Sequence, residues 1–253
     1  MSAFKASFRN ELSKLFRRKK YMVFLIFGLV ICIIGAAVSL IVSHLVGRAT
    51  GVVMFNLTPT PMGVLPIFLQ GFLPLLIFMG ATDLLTVEAS EGTMKGIIFR
   101  PVERWKLYFS KIAAIVAYAA FYLTCIFVLS TLLNLIVGRG MGMGELFSAL
   151  ISYALTLPPL AVLAAFAGLI AILGRSSSLT MLLLIVAYIA MNAIPLFFPI
   201  ASEMIFVSYL GWYRLWIGVL PSASRLLHMS TILASYGVVF FVAGSLVFER
   251  KEY

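Results

Sequence analysis

The sequence predicts an all-α membrane protein. It has six transmembrane helices, an N-terminal amphipathic interfacial helix, a helix in a cytoplasmic loop and a short outer re-entrant segment. Three observations predict this class. First, 62% of the 253 residues are hydrophobic and only 11% are charged. A soluble domain has about 45–50% apolar and about 25% charged residues, and a soluble particle of this size needs polar cover that this chain lacks. A soluble enzyme and a disordered chain are both excluded. Second, six stretches contain no Asp, Glu, Lys or Arg, and each is long enough for the ~20 residues that cross a bilayer as helix. Third, these stretches are continuously apolar rather than alternating with period two, which argues against a β-barrel. Inside lipid, each segment must satisfy its own backbone groups, and helix does so.

The chain reads as a single transmembrane domain over 1–253. Its first twenty residues form an amphipathic elbow. Phe4, Phe8, Leu12 and Phe16 recur every four residues, with Leu15 beside them. Lys5, Arg9 and Lys14 take other faces, and Arg17, Arg18, Lys19 and Lys20 close the segment. A helix with an aromatic face and a basic face lies in the headgroup plane, so these residues are expected to anchor the chain to membrane lipid.

The spans are expected near 22–45, 64–86, 111–137, 147–173, 178–200 and 228–248. The first is longer than a signal-peptide core and is expected to be retained. Pro66 and Pro74 fall inside the second span, Pro158 and Pro159 inside the fourth, and Pro195 and Pro199 near the end of the fifth. Proline in a membrane helix predicts a kink whose freed backbone groups are re-satisfied by neighbours. Cys32 and Cys125 sit mid-span as small packing residues. The last loop, 201–227, is apolar and aromatic but broken by Glu203, Arg214 and Arg225. It reads as an outer re-entrant or interfacial pair of short helices.

The basic residues fix the orientation. Fifteen of the nineteen Lys and Arg lie on the side holding both termini, and Arg48, Arg139, Arg214 and Arg225 lie on the other. The richer side faces the cytoplasm. The expected location is the cytoplasmic membrane, multi-pass, with both termini inside. The net charge of +10 therefore marks a membrane face and calls for no nucleic-acid partner.

The loop at 86–104 carries the most information. Together with Asp83, its Glu88, Glu91 and Glu103 make four of the nine acidic residues. Thr86 to Phe99 predicts a short helix, ended at Arg100 by Pro101 because the residue before proline is pushed out of the helical region. Trp105 and Tyr108 are expected at interfacial depth, and Asp83 at the cytoplasmic end, able to snorkel or to pair with Lys111. A helix with apolar anchors and mixed charge between two spans suits docking on a partner.

The run EASEGTMKGIIFRPVERWKLYFSK resembles the first cytoplasmic loop of ABC type-2 exporter permeases, through Glu88, Glu91, Gly92, Thr93, Pro101, Val102, Arg104 and Lys111. The layout of the whole chain is similar too. The resemblance implies that this loop is a coupling helix seated in a separate ABC ATPase subunit, with Glu88, Glu91, Gly92, Thr93, Pro101 and Arg104 as the coupling residues. Glu88 and Glu91 would meet basic groups, and Gly92 would allow close backbone approach. It also implies a second permease chain, as homodimer or heterodimer. No GxxxxGK[ST] phosphate-binding pattern occurs here. This chain is therefore read as a transport subunit and not an enzyme, with no cofactor of its own and with ATP and Mg held by the partner. The uncharged span interiors suit export of drugs, antimicrobial peptides or other amphiphiles.

Two other classes fit less well, and a third is hardly separated from the exporter reading by sequence. An intramembrane enzyme needs a buried nucleophile–base pair, carboxylates or a metal. The span interiors carry none, and His44 and His228 are peripheral and lack companions. An ion-coupled transporter or channel usually shows ionisable residues deep in its spans. An ATPase-independent immunity protein differs from an exporter subunit only in its partner.

Overall fold

The structure is a computed structural model. It describes residues 3–45, 60–92, 103–137, 140–198, 203–216 and 223–251. The described residues fold into helices, with no strand among them. We number them α1 (Ala3–Arg17), α2 (Lys19–Leu45), α3 (Pro61–Ser90), α4 (Arg104–Ile136), α5 (Met143–Leu155), α6 (Leu157–Leu173), α7 (Ser177–Phe197) and α8 (Ala223–Arg250). Six spans long and apolar enough to cross a membrane result, with α5 and α6 forming the fourth.

Prolines accompany the first irregularity of α3 and the break in the fourth span, whereas α7 continues through Pro195 to Phe197. Thr60 caps α3, its hydroxyl accepting from the Gly63 amide at 3.2 Å, and Pro61 occupies the first turn, where its missing donor costs nothing. Farther along, Pro74 leaves the Gln70 carbonyl without the donor an α-helix would supply. The Tyr188 hydroxyl of α7 donates to that carbonyl at 2.7 Å. This is the re-satisfaction by a neighbour that a membrane proline requires. Wide π turns at Phe68–Phe72 and Thr82–Val87 interrupt α3 on either side of a regular stretch. The fourth span breaks at Thr156, just before Pro158 and Pro159.

The α6 helix lies at the centre. Small residues let its neighbours approach, and Ala164, Ala167 and Ala171 are fully buried. Around it pack α3, α4, α7 and α8. The outer faces of α2, α7 and α8 present Ile26, Ile33, Leu182, Val186, Val238 and Val242 to the surroundings, as lipid-facing helices do. Within the outer loop, Phe206–Trp216 winds as one run of 3-10 turns, with Phe206 packed between the rings of Phe166 and Phe240 at 5.1 and 5.2 Å.

The apolar face of α1, expected to lie against lipid, packs along α4. Phe4 stacks on Phe109 at 5.4 Å, Ser7 Oγ lies 2.9 Å from Ser110 Oγ, and Glu11 pairs with Lys111 at 3.2 Å. Phe16 packs edge-on against Tyr118 and Phe121 at 5.0 and 4.9 Å. The contacts advance together along both helices, so α1 runs beside the first half of α4. The physical reason is that both its rings and its polar groups find partners there. Phe4, Phe8, Leu12 and Phe16 are half-buried, and Leu15 is fully buried.

Candidate functional site

Two buried carboxylate clusters lie where α1, α3 and α4 converge. In the first, Lys111 Nζ donates to Glu88 at 2.6 Å and to Glu11 at 3.2 Å. Lys14 Nζ donates to the other oxygen of Glu88 at 2.7 Å and to Glu11 at 3.0 Å. Two acids and two lysines thus close a charge-balanced square. Lys111, Glu11 and Glu88 are each at most 4% exposed. Burial alone would lower the Lys14 ammonium, but the Glu88 hydrogen bond and the nearby Glu11 and Glu88 charges hold it above the ordinary lysine value. Ion pairs taken out of water are costly unless each charge is compensated, and the square compensates all four.

In the second cluster, Asp83 accepts from Lys20 at 2.5 Å, from Arg18 at 2.8 Å and from the Tyr21 hydroxyl at 2.8 Å. The two basic residues come from the junction between α1 and α2, where the helix is interrupted at Arg18. Of the two courses open to Asp83, snorkelling or pairing with Lys111, the structure shows neither pairing with Lys111 nor a free carboxylate: Asp83 pairs with the N-terminal segment. Lys111 is already taken by two nearer acids. The π turn at Thr82–Val87 surrounds Asp83. Such wide turns often mark functional positions.

Both clusters draw on the first root of the 86–104 loop, through Asp83 and Glu88. Glu88 faces inward and its carboxylate is engaged by lysines of the same chain, whereas Glu91 and Gly92 are exposed. Gly92 ends the helix with φ +68°, a left-handed turn that a side chain would strain. Among the described residues, no atom lies within 4 Å of where its Cβ would be. Thr93 and Pro101 lie outside the described residues, as does most of the helix expected over 86–99.

The second root begins at Glu103, which receives hydrogen bonds from Lys106 at 2.8 Å and from the Trp105 indole at 2.5 Å. These bonds hold its carboxyl below the usual range. Arg104 donates to the Glu249 carbonyl at the end of α8 at 2.6 Å. Trp105 is exposed, but Tyr108 is fully buried against Phe241 and Phe248.

Among the residues expected to anchor the chain, Arg17, Lys19 and Lys20 are exposed and Arg18 is half-buried. Sequence reasoning missed Glu11, Lys14 and Tyr21 as site residues. One signal was available, since Glu11 is the single acid in a strongly basic segment.

A multi-pass helical membrane protein with a charged, partly buried loop root is the class this geometry defines. The profile of the ABC-2 family transporter proteins matches residues 7–192, which include the α1 square, both roots and the loop between them. The chain belongs to the ABC-2 transporter family and is an ABC transporter membrane subunit. No curated protein matches it.

Proposed function

We propose that this chain is the permease subunit of an ABC exporter in the cytoplasmic membrane, with both termini inside, powered by a separate ATPase subunit and working beside a second permease chain. The family match over residues 7–192 carries this reading, because membrane proteins of that family work with an ABC ATPase subunit. In this proposal the ATPase meets the 86–104 loop through the exposed Glu91, the turn at Gly92, and Thr93 and Pro101. Glu88 holds the root in place from inside, and Arg104 holds the far root. ATP and Mg stay in the partner. Arg17, Lys19 and Lys20, exposed at the junction of α1 and α2, reach anionic headgroups. The outer 3-10 run serves as the re-entrant element.

The cargo of this proposal is amphiphilic. A cavity of about 210 Å³ between α4, α5 and α6, lined by Ala120, Leu123, Phe127, Leu150 and Tyr153, is consistent with an apolar passenger. The decisive experiment purifies the tagged chain from its native membrane. An ATPase subunit should co-elute, and its activity in liposomes should rise with lipophilic peptides or drugs. Elution without any ATPase sinks the exporter reading. Stimulation by a small ion alone sinks the amphiphile.

A further inference from the structure

The loop between Thr86 and Arg104 is tied at both roots to other helix ends. Before the loop, the Thr86 hydroxyl donates to the Ala171 carbonyl at 2.7 Å, buried at the end of α6. After it, Arg104 donates to the Glu249 carbonyl at 2.6 Å, at the end of α8. A third bond joins those two ends, because Lys251 donates to the Ile172 carbonyl. All three acceptors belong to the last four carbonyls of their helices, which have no intrahelical donor. Two of the donors are cations placed at helix C-termini, where the dipole favours them.

The connection runs from Thr86 to the end of α6, through Lys251 to the end of α8, and through Arg104 to the start of α4. The Glu88–Lys111 pair joins α4 back to α3 and completes the connection. Inside it, α4, α6 and α8 leave no slack. A Cβ on Gly244 would lie 2.2 Å from the Tyr108 hydroxyl, and one on Gly168 would lie 2.9 Å from it. Elements packed this closely move as a unit, because dense interiors transmit displacement.

We propose that Thr86, Arg104 and Lys251 form a hydrogen-bonded ring that carries movement of both loop roots to the cytoplasmic ends of the fourth and sixth spans, with Lys251 as the positioning residue that closes it. The transport role of this ring rests on the coupling reading above. The ring itself does not. A pull on either root reaches α6 and α8 without passing through the coupling loop. Without Lys251, the two helix ends lose the bond to the Ile172 carbonyl.

The test has two arms. In the permease alone, in lipid nanodiscs, amide exchange is followed at residues 88–92, 104–107 and 168–174 for wild type, Lys251→Met and Lys251→Arg. Lys251→Met should speed exchange about tenfold at all three segments, the scale of one lost charged hydrogen bond. Lys251→Arg, which can donate to the same carbonyl, should stay within about twofold of wild type. In the complex with its ATPase, cargo moved per ATP hydrolysed should fall about tenfold in Lys251→Met and recover in Lys251→Arg, at unchanged thermal midpoint. Exchange unchanged at the loop roots overturns the ring, whatever the ATPase does. Exchange that responds while no ATPase associates leaves the ring standing and removes the coupling reading. Exchange that responds while cargo moved per ATP stays within about twofold overturns its transport role.

Discussion

The Lys111 ammonium meets the Glu88 carboxylate at 2.6 Å, both inside the protein, and joins the third span to the last turn of the second. The pair stands on the two helices that flank the loop, twenty-three residues apart in the chain. Removing one partner leaves an uncompensated buried charge, a loss of about 3–5 kcal/mol. Lys111→Met should therefore lower the thermal midpoint in detergent sharply, and Glu88→Gln should do so in the same direction. Exchanging the two charges, Glu88→Lys with Lys111→Glu, should recover part of the loss. An exchanged pair no better than the sum of its single substitutions contradicts direct pairing.

Glu88 and Glu91 now separate by role. Glu91→Lys should leave the thermal midpoint almost unchanged, within about 0.5 kcal/mol, because the residue is exposed. It should weaken retention of the ATPase on a tagged permease. Glu88→Lys should fail earlier, by destabilising the permease itself. Measuring midpoint and ATPase retention on both variants distinguishes them. Equal loss of ATPase retention at equal stability contradicts the division.

The elements of the fold were legible in the sequence because their signal is local. Six uncharged windows became six spans, and proline pairs accompany the first irregularity of α3 and the break in the fourth span. The partners of the charges were not legible. Asp83 could reach several cations from its position at the end of a span, and only the path of α1 decides for Arg18 and Lys20. The same path takes Lys111 to Glu11, a hundred residues away in sequence. An amphipathic pattern states that one face of α1 is apolar. It does not state whether lipid or α4 covers that face. Tyr108 shows the same ambiguity, since an aromatic residue near a span end fits both the interface and the core.

Asp83 holds the junction between α1 and α2 through three donors. Asp83→Asn removes the charge and keeps the shape. It should expose the backbone at Arg17 and Arg18, so limited trypsin digestion of the permease in nanodiscs should cut there several times faster. Digestion at the wild-type rate contradicts a pinned junction. Lys20→Ala should have a smaller effect than Arg18→Ala, because Lys20 is the more exposed partner.

Lys14 sets a pH dependence at the alkaline end. Its folded value is raised above the ordinary 10.5 by the Glu88 bond and the two carboxylates, against the lowering effect of burial. A raised cation contributes stability that is fully present below the unfolded value and is lost as pH rises through the folded one. The Lys14 contribution should thus be constant between pH 6 and 9, to about the precision of a melting curve, and disappear above 10.5. Lys14→Arg should move that loss to higher pH, since guanidinium stays charged. A Lys14-dependent change in melting temperature near neutral pH contradicts this assignment.

The bond from Tyr188 to the Gln70 carbonyl tests the account of the second span's irregularity. Tyr188→Phe removes the donor and leaves a carbonyl without the replacement for Pro74. Such interhelical bonds in membranes are worth about 0.6 kcal/mol on average. Pro74→Ala restores a backbone N–H that the same carbonyl can use. If Tyr188 acts by replacing that missing donor, Tyr188→Phe should cost less in the Pro74→Ala background than in wild type. If it acts only as a packed ring against Phe78, 5.7 Å away, the cost should be equal in both. The coupling from a double-mutant cycle decides between them. A value near zero means that the π turns of α3 compensate for the proline without help from α7.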